Sequence, residues 1–350
     1  MTRAPTAGAL LASLALTGCA ASDYYSQAVS GHLELMRRAH PIAARIADPA
    51  TPPPLRAKLE RVIAMREFAS RELGLPDNGS YRSYADIGRP FAVWNVFAAP
   101  ELSVEPKQSC FPVAGCVAYR GYYRLADAER HGAELRAQGF DVYVGGVPAY
   151  STLGWFDDPV LNTFVHYPDG ELARLLFHEL AHQVVYVKDD TVFNESFAVS
   201  VEREGVRRWL AASAEEADRR VYATLQSRKQ EFIALVLGYR ARLAALYRAP
   251  VPDEDKRAGK ARLLDELEAD YRALRASWGG FAGFDRFFAQ QPNNAYLASI
   301  AAYTELVPAF ERLLASNGND LGRFYAAVRA LAALPKAERD AALVRVNSEQ

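Results

Sequence analysis

The chain has 350 residues, of which 50% are hydrophobic and 24% are charged, and its formal net charge at pH 7 is −1. This is the composition of an ordinary globular protein, and the length is enough for one large domain or two smaller ones with a buried core. A net charge this close to zero argues against a protein that binds nucleic acid or another polyanion.

The N terminus, MTRAPTAGALLASLALTGCAAS, has the organisation of a bacterial leader. A basic start precedes an apolar run over residues 7–16 that is too short for a spanning helix, and Leu-Thr-Gly-Cys follows. This looks like a lipobox, so we expect residues 1–18 to be a signal peptide and Cys19 to be acylated. The alternative is a secretory signal peptide with an incidental cysteine. The lipid would anchor the protein to the membrane. Because alanine rather than aspartate follows Cys19, analogy with known lipoproteins favours the periplasmic face of the outer membrane.

After Cys19, two regions precede the candidate site. Residues 19–80 are predicted to be helical, with one helix over DYYSQAVSGHLELMRRAHPIAARIAD and another that begins at prolines, PPPLRAKLERVIAMREFASRELGL. Residues 81–168 contain three stretches rich in Val, Phe and Tyr, which are typical of strands, and a helical stretch between the second and the third. These patterns predict a small β-sheet with one crossover helix.

Two further cysteines, Cys110 and Cys116, occur in this sheet region within CFPVAGC. A proline and a glycine stand between them, and a disulfide could close this small loop in an oxidising compartment. A metal-binding or redox-active pair is the weaker alternative, because the spacing is not Cys-x-x-Cys and no histidine is near. We therefore favour a disulfide.

Residues 169–350 have helical periodicity almost throughout, which makes the predicted fold class α+β, predominantly α. The predicted helices cover residues 170–188, 191–211, 213–248, 255–277, 293–315 and 319–333. The first two of them carry the candidate catalytic region.

The first of these helices contains HELAH, which places His178 and His182 four residues apart on one helix face. This spacing suits two imidazole ligands of one zinc ion. Glu179 lies about 100° round the helix, beside the metal but off the line of the ligands, where it can take a proton from metal-bound water. The alternative is a helix whose two histidines are satisfied by neighbouring side chains.

The next helix, in NESFAVSVE, offers a third protein ligand. Glu195 stands near its start, one short connection after His182, and Glu202 follows two turns later on the same face, where it can hydrogen-bond a ligand histidine. The alternative for Glu195 is a first-turn acid that complements the helix dipole. For Glu202, support of a ligand and a solvated surface position are both open.

A tetrahedral oxyanion formed at zinc usually receives a second donor, such as a tyrosine hydroxyl. Tyr150, at a strand end upstream of the zinc helix, and Tyr303, on a later helix in NNAYLASIAAYTELVPAF, are the candidates for this catalytic role. The alternative for both is an amphipathic tyrosine at the boundary of the core.

HELAH followed by NESFAVSVE resembles the gluzincin metallopeptidases, whose zinc lies between a His-Glu-x-x-His helix and a glutamate on the next helix. Nearly the full mature length, including YYSQAVSGHLELM, CFPVAGCVAYRGYY and VPAYSTLGWFDDP, resembles the predicted-aminopeptidase lipoproteins of Gram-negative bacteria. The resemblance implies a small sheet followed by a helical gluzincin-like core and C-terminal helices. It also implies His178, His182 and Glu195 as zinc ligands and Glu179 as the catalytic base.

The chain departs from the well-known zinc aminopeptidases in two ways. Its connection between His182 and Glu195 is shorter, and it lacks the Gly-x-Met-Glu-Asn segment that holds the amino terminus of their substrates. Asp157 or Asp158, in GWFDDP, is the candidate substitute for this amine anchor.

We therefore expect a zinc-dependent metallopeptidase, with aminopeptidase activity as the first candidate, that hydrolyses peptides or unfolded chains in the periplasm. An envelope endopeptidase or an amide hydrolase is the close alternative. A non-catalytic adaptor lipoprotein with a vestigial zinc site belongs to a different class, and the presence of Glu179 argues against it, since a decayed site usually loses its base first.

Overall fold

The computed structural model describes residues 24–111 and 115–348. The expected signal peptide and the acylation site Cys19 lie outside these residues. The described chain is mostly helical, with sheets of two or three strands, which confirms the predicted α+β, predominantly α, fold class. None of the described helices combines the length and the apolar character that crossing a bilayer requires.

The N-terminal part of the described chain contains helix α1 over residues 24–37, α2 (Ile42–Ala47) and α3 (Pro53–Leu73). Prolines open α3, where their missing N–H groups cost little, and Gly74 ends it in the left-handed conformation at φ 63°. Pro41 interrupts the first predicted helix, which is therefore divided into α1 and α2.

The strands of the described chain are short and form three separate sheets. They are β1 (His40–Pro41), β2 (Ser83–Ala85), β3 (Val93–Pro100), β4 (Ser109–Phe111), β5 (Gly115–Val117), β6 (Tyr119–Tyr122), β7 (Phe140–Val147) and β8 (Val160–Leu161). The strand orders are β1-β2-β8, β6-β3-β7 and β4-β5. In the central sheet β3 is antiparallel to both neighbours, so β6 and β7 run parallel and α4 (Leu125–Ala137) crosses over between them.

The central sheet has two different faces, because side chains alternate along each strand. On one face Trp94 and Val96 of β3 pack with Leu135 of α4 in a small apolar core. On the other face Asn95 and Phe97 of the same strand line a large cavity. The sheet therefore forms one wall of the region that holds the candidate site.

The rest of the described chain is helical. The helices are α5 (Asp169–Ala181), α6 (Thr191–Ser213), α7 (Glu216–Arg248), α8 (Asp253–Ser277), α9 (Asp285–Ala289), α10 (Asn294–Thr304), α11 (Val307–Ser316), α12 (Leu321–Ala332) and α13 (Lys336–Ser348). α5 and α6 pack with α3 and α11 in the main hydrophobic core, while α7 and α8 pair around a second one.

Two of the predicted helices are wrong in extent. The helix predicted over residues 170–188 ends at Ala181, and an irregular connection follows it. The helix predicted over residues 293–315 is divided into α10 and α11. Pro308 stands in the first turn of α11, where it can begin a helix but cannot continue one.

The start of α6 is held by a buried ion pair with the C-terminal helix. Asp190 caps α6, since its Oδ1 accepts a hydrogen bond from the N–H of Phe193 at 3.2 Å. Its Oδ2 accepts another from Nη2 of Arg339 at 2.7 Å, and the two charged side chains are only 3% and 4% exposed. Lys336 also reaches this oxygen, at 3.2 Å, but is 60% exposed. Asp190 and Arg339 therefore tie α13 to the helix that carries Glu195.

We expect Arg339→Met to lower the free energy of unfolding by about 3–5 kcal/mol, because it leaves a buried carboxylate without its main partner. Lys336→Met is the matched control, since it removes an exposed cation from the same carboxylate and should cost less than about 1 kcal/mol. Urea denaturation of both variants measures the difference. Similar losses in the two variants would contradict the central role of the buried pair.

Candidate metal centre

His178 and Glu179 lie in the last turn of α5, and His182 ends this helix. His182 has helical backbone angles, φ −59° and ψ −21°, and its N–H points to the carbonyl of His178. The two imidazoles therefore keep their four-residue helical relation although α5 stops earlier than predicted. Their Nε2 atoms lie 3.2 Å apart.

Glu195, in the second turn of α6, completes a buried group of three potential metal ligands with these histidines. Its Oε2 lies 3.2 Å from Nε2 of His178 and 3.6 Å from Nε2 of His182. Two ligands bound to tetrahedral zinc at 2.0–2.1 Å are about 3.3 Å apart. The three separations therefore match three corners of such a tetrahedron, and the group can hold a metal ion.

Glu202 lies against the other side of the His178 ring. Its Oε2 is 2.9 Å from Nδ1 of His178 and accepts a hydrogen bond from Nη1 of Arg174 at 3.2 Å. With a proton held on Nδ1 by Glu202, Nε2 can present its lone pair to a metal ion, which is the form that a metal ligand requires. Because Glu202 is only 2% exposed, it is not a solvated glutamate. No sequence pattern predicts the contribution of Arg174.

Charges within the group shift the pKa values of its members. Burial alone would lower the pKa of His178, but its hydrogen bonds to Glu195 and Glu202 raise that pKa to about 10. Burial opposes the ionisation of Glu195, yet the charge of His182 and a hydrogen bond to His178 lower its pKa to about 2. Burial raises the pKa of Glu179. Glu195 is thus held as a carboxylate, while Glu179 binds a proton more tightly than an exposed glutamate does.

Asn194, next to Glu195, holds the short connection between α5 and α6. Its side-chain amide donates to the carbonyl of Val187 and accepts from the N–H of the same residue, both at 2.7 Å. This pair of bonds satisfies backbone groups that lie outside any helix. Asn194 therefore fixes the path by which the chain reaches the third ligand, a role that the sequence alone does not predict.

The same connection is in contact with the hairpin of β4 and β5. Cys110 and Cys116 pair across this hairpin and are joined by a disulfide. The N–H of Cys116 donates to Oδ1 of Asp189, in the connection, at 2.5 Å. A Cβ atom on Gly115 would lie 2.4 Å from the same oxygen, so only glycine permits this approach. The hairpin therefore packs directly on the segment that joins the two site helices.

A cavity of about 770 Å³ opens onto the metal group, between the central sheet and helices α7 and α10. Tyr303 of α10 lines it, with its ring centroid 6.4 Å from that of His178. Tyr150 also lines it, but its hydroxyl lies 2.7 Å from Nδ1 of His32. The structure thus brings Tyr303 beside the metal group, whereas the hydroxyl of Tyr150 has another partner.

Tyr303 is positioned by a contact between the end of α10 and α6. The N–H of Leu306 donates to Oγ of Ser196 at 3.1 Å, and Ser196 directly follows Glu195. The hydrogen bond lies where the predicted single helix is divided into α10 and α11. The break therefore places the tyrosine against the helix that carries the third candidate ligand.

Asp157 and Asp158 are not members of the metal group, although the charge of Glu179 adds to burial in raising the pKa of Asp158. Asp158 is 2% exposed, and its Oδ2 accepts hydrogen bonds from the N–H and the hydroxyl of Thr152 at 2.8 and 3.0 Å. Neither aspartate is among the described residues that line the cavity. The role of an amine anchor at these two positions therefore stays a prediction.

Comparison with known families gives a match that covers most of the chain. The profile of a family described as "Putative aminopeptidase" matches residues 23–343, which includes the whole metal group. No match was found among curated proteins or among solved structures.

We expect Glu202→Gln to weaken the binding of a divalent metal ion about tenfold to a hundredfold, because the charged acceptor that orients His178 is lost. Glu204→Gln is the matched control, since Glu204 lies two residues further along α6 and pairs with Arg207 and Arg208 instead. Competition with a chromophoric chelator measures both affinities. Unchanged affinity in Glu202→Gln would contradict its role in holding the ligand.

Proposed function

We propose, since the chain belongs to the family described as "Putative aminopeptidase", that it is a zinc-dependent metallopeptidase with aminopeptidase activity. Family membership supports a peptidase. Zinc is supported by the donor set, because two imidazoles and one carboxylate leave a fourth tetrahedral position for water or substrate. The observation that carries the proposal is the spacing of His178, His182 and Glu195 at 3.2, 3.2 and 3.6 Å.

The proposed chemistry assigns proton transfer to Glu179. A bound zinc ion would lower the pKa of water and polarise the peptide carbonyl. Glu179 directly follows His178 and lines the same cavity, so its carboxylate can take the proton of the attacking water and give it to the leaving amine. Burial raises the pKa of Glu179, which suits a group that must hold the proton between the two steps.

We expect Glu179→Gln to reduce kcat for peptide hydrolysis by about 10²- to 10⁴-fold while the protein still binds one zinc ion, because the amide cannot carry the proton. Asp169→Asn is the matched control, since it neutralises a carboxylate at the far end of the same helix that pairs with Lys58. Amine release and metal content of the purified protein are the two measurements.

His182→Ala should lose both the metal and the activity, since a ligand is removed. Zinc retained at one ion per chain in this variant would place the metal elsewhere. Stoichiometric zinc in the unaltered protein, without cleavage of any peptide in a broad library, would overturn the peptidase proposal and favour an adaptor.

We assign the stabilisation of the developing oxyanion to Tyr303, whose ring lies beside that of His178. Tyr303→Phe is expected to lower kcat about 10²- to 10³-fold with little change in KM, because the hydroxyl would act mainly on the transition state. Tyr247→Phe is the control, since its hydroxyl bonds Asn294 at the other end of α10. Steady-state kinetics with one peptide compare the two variants. Equal kcat values in both would contradict the assignment.

We further propose that the protein is anchored in the bacterial cell envelope by acylation of Cys19. The support is the sequence Leu-Thr-Gly-Cys after a short apolar run, together with the Cys110–Cys116 disulfide, which suits an oxidising compartment such as the periplasm. Cys19→Ser is expected to move the protein from the membrane fraction to the soluble fraction of lysed cells. Fractionation and immunoblotting measure this, and a variant that stays with the membrane would contradict the anchor.

A further inference from the structure

The acidic and the basic side chains that line the cavity differ in their relation to the metal group. The acids among the described lining residues are Glu179, Glu195 and Glu202, and all three belong to the metal group or hold it. Among the described residues, the rest of the cavity wall therefore offers no carboxylate to a positively charged end of a substrate. The bases outside the metal group are Arg174, Arg203 and Lys229.

These three bases differ in how far their charges are compensated. Arg174 is bonded to two carboxylates, those of Glu171 at 2.7 Å and Glu202 at 3.2 Å. Arg203 donates one hydrogen bond, from Nη1 to Glu311 at 2.7 Å. Lys229 forms no hydrogen bond and no ion pair with any residue that the structure describes. Because this ammonium group has no partner among the described residues, it can bind an anion from outside the chain.

The ammonium of Lys229 lies in a partly buried part of the cavity, within range of the charges of two bases and two acids. Burial lowers its pKa, the charge of Arg174 and, to a smaller degree, that of Arg203 lower it further, and the charges of Glu202 and Glu171 oppose them. An anion bound here would relieve this repulsion. A partly buried charge pair is screened less than one in bulk water. A contact between the ammonium of Lys229 and an anion is therefore stronger than the same contact on the surface.

Helix α6 runs from the metal group to the part of the cavity that Arg203 and Lys229 line, which we call the basic end. Glu195, Val199, Glu202 and Arg203 all line the cavity, so one face of α6 runs along it. Glu195 and Arg203 are eight residues apart, which corresponds to about 12 Å along a helix. An extended peptide covers about 3.3–3.6 Å per residue, so the rise from Glu195 to Arg203 corresponds to about three residues of a bound peptide.

We propose that Lys229, together with Arg203, binds a carboxylate of the peptide substrate within about three residues of the bond that is cleaved. The substrate class is then short peptides that end in a free α-carboxylate, or peptides with an Asp or Glu side chain at that position. This inference rests on the proposed peptidase function and adds the recognition of the substrate's anionic end. Lys229 is accordingly a specificity-determining residue and takes no part in the chemical step.

Two pairs of peptides, used with the zinc-loaded full chain, separate the sources of the carboxylate. Ala-Ala-Ala is compared with its C-terminal amide, and Ala-Ala-Glu amide is compared with Ala-Ala-Gln amide. We expect kcat/KM to be about tenfold to a hundredfold higher for the anionic member of at least one pair, as for a hydrogen-bonded charge. A preference in the first pair identifies the α-carboxylate, and a preference only in the second identifies an acidic side chain.

Variants at Lys229 test which group is responsible. In Lys229→Met the ratio of kcat/KM between the anionic and the neutral peptide of a pair should fall towards one, mainly through a change in KM. Lys229→Arg should keep most of this ratio. Arg220→Met, an exposed cation nine residues earlier on α7, is the matched control and should keep the preference. A merely structural effect of Lys229 would change both members of a pair alike, so the ratio distinguishes the two roles.

The result that overturns the inference is equal hydrolysis of both members in both pairs, or a preference that survives Lys229→Met. Cleavage without preference would leave the peptidase proposal intact. Failure to cleave any of the four peptides would count against the peptidase proposal instead. In that case calorimetric binding of Ala-Ala-Ala and its amide decides the inference, since a preference that Lys229→Met removes supports the carboxylate site and no preference overturns it.

Discussion

The contact between Nδ1 of His178 and the carboxylate of Glu202 joins the two site helices, and the remaining geometry depends on it. It commits the proton of a buried imidazole to one nitrogen, so the other nitrogen can face the metal group. The charge of Arg174 keeps Glu202 ionised in a position that is almost closed to solvent. Glu195 lies two turns from Glu202 on the same helix, so the contact that orients His178 also sets the position of the third candidate ligand.

Contacts outside the metal group fix the position of the first turns of α6, which carry Glu195. Asp190 is held by Arg339 of the C-terminal helix, and Asn194 holds the preceding connection through the backbone of Val187. Ser196 receives a hydrogen bond from the far side, through Leu306. Two distant parts of the chain, and the connection before the helix, therefore meet within the first two turns of this helix. A metal-binding group needs such support, because its ligands must be held within fractions of an ångström.

The sequence predicted the members of the metal group but not what holds them in place. His178 and His182 are related by helical spacing alone, and Glu195 and Glu202 share a helix face, so local periodicity is enough to bring out both pairs. The fold class followed from the same periodicity. The end of α5 could not be predicted, because the apolar pattern continues past Ala181 and Asn194 of the next helix provides the hydrogen bonds of the connection.

Of the other features, one has a signal in the nearby sequence, and two become visible only in the tertiary structure. Pro308 marks the division of the helix predicted over residues 293–315, and this signal was readable from the sequence. Lys229 stands in an ordinary helical stretch, where a solvated lysine is the natural interpretation. Only the tertiary structure places it on the cavity wall without a carboxylate partner among the described residues. The same holds for Asp158, whose burial depends on the fold of its loop.

The hydrogen bond from Leu306 to Ser196 has a mechanical consequence. Ser196 is the neighbour of Glu195, and Leu306 is only three residues from Tyr303. One hydrogen bond and a few residues of backbone therefore connect the carboxylate of Glu195 with the phenol of Tyr303. A tilt of α6 relative to α10 would stretch this hydrogen bond, so the bond opposes a change in the spacing of the carboxylate and the phenol. Helix α10 is also held to the sheet, where Tyr296 stacks on Tyr143 of β7 with ring centroids 3.8 Å apart, so the phenol is fixed relative to both α6 and the sheet.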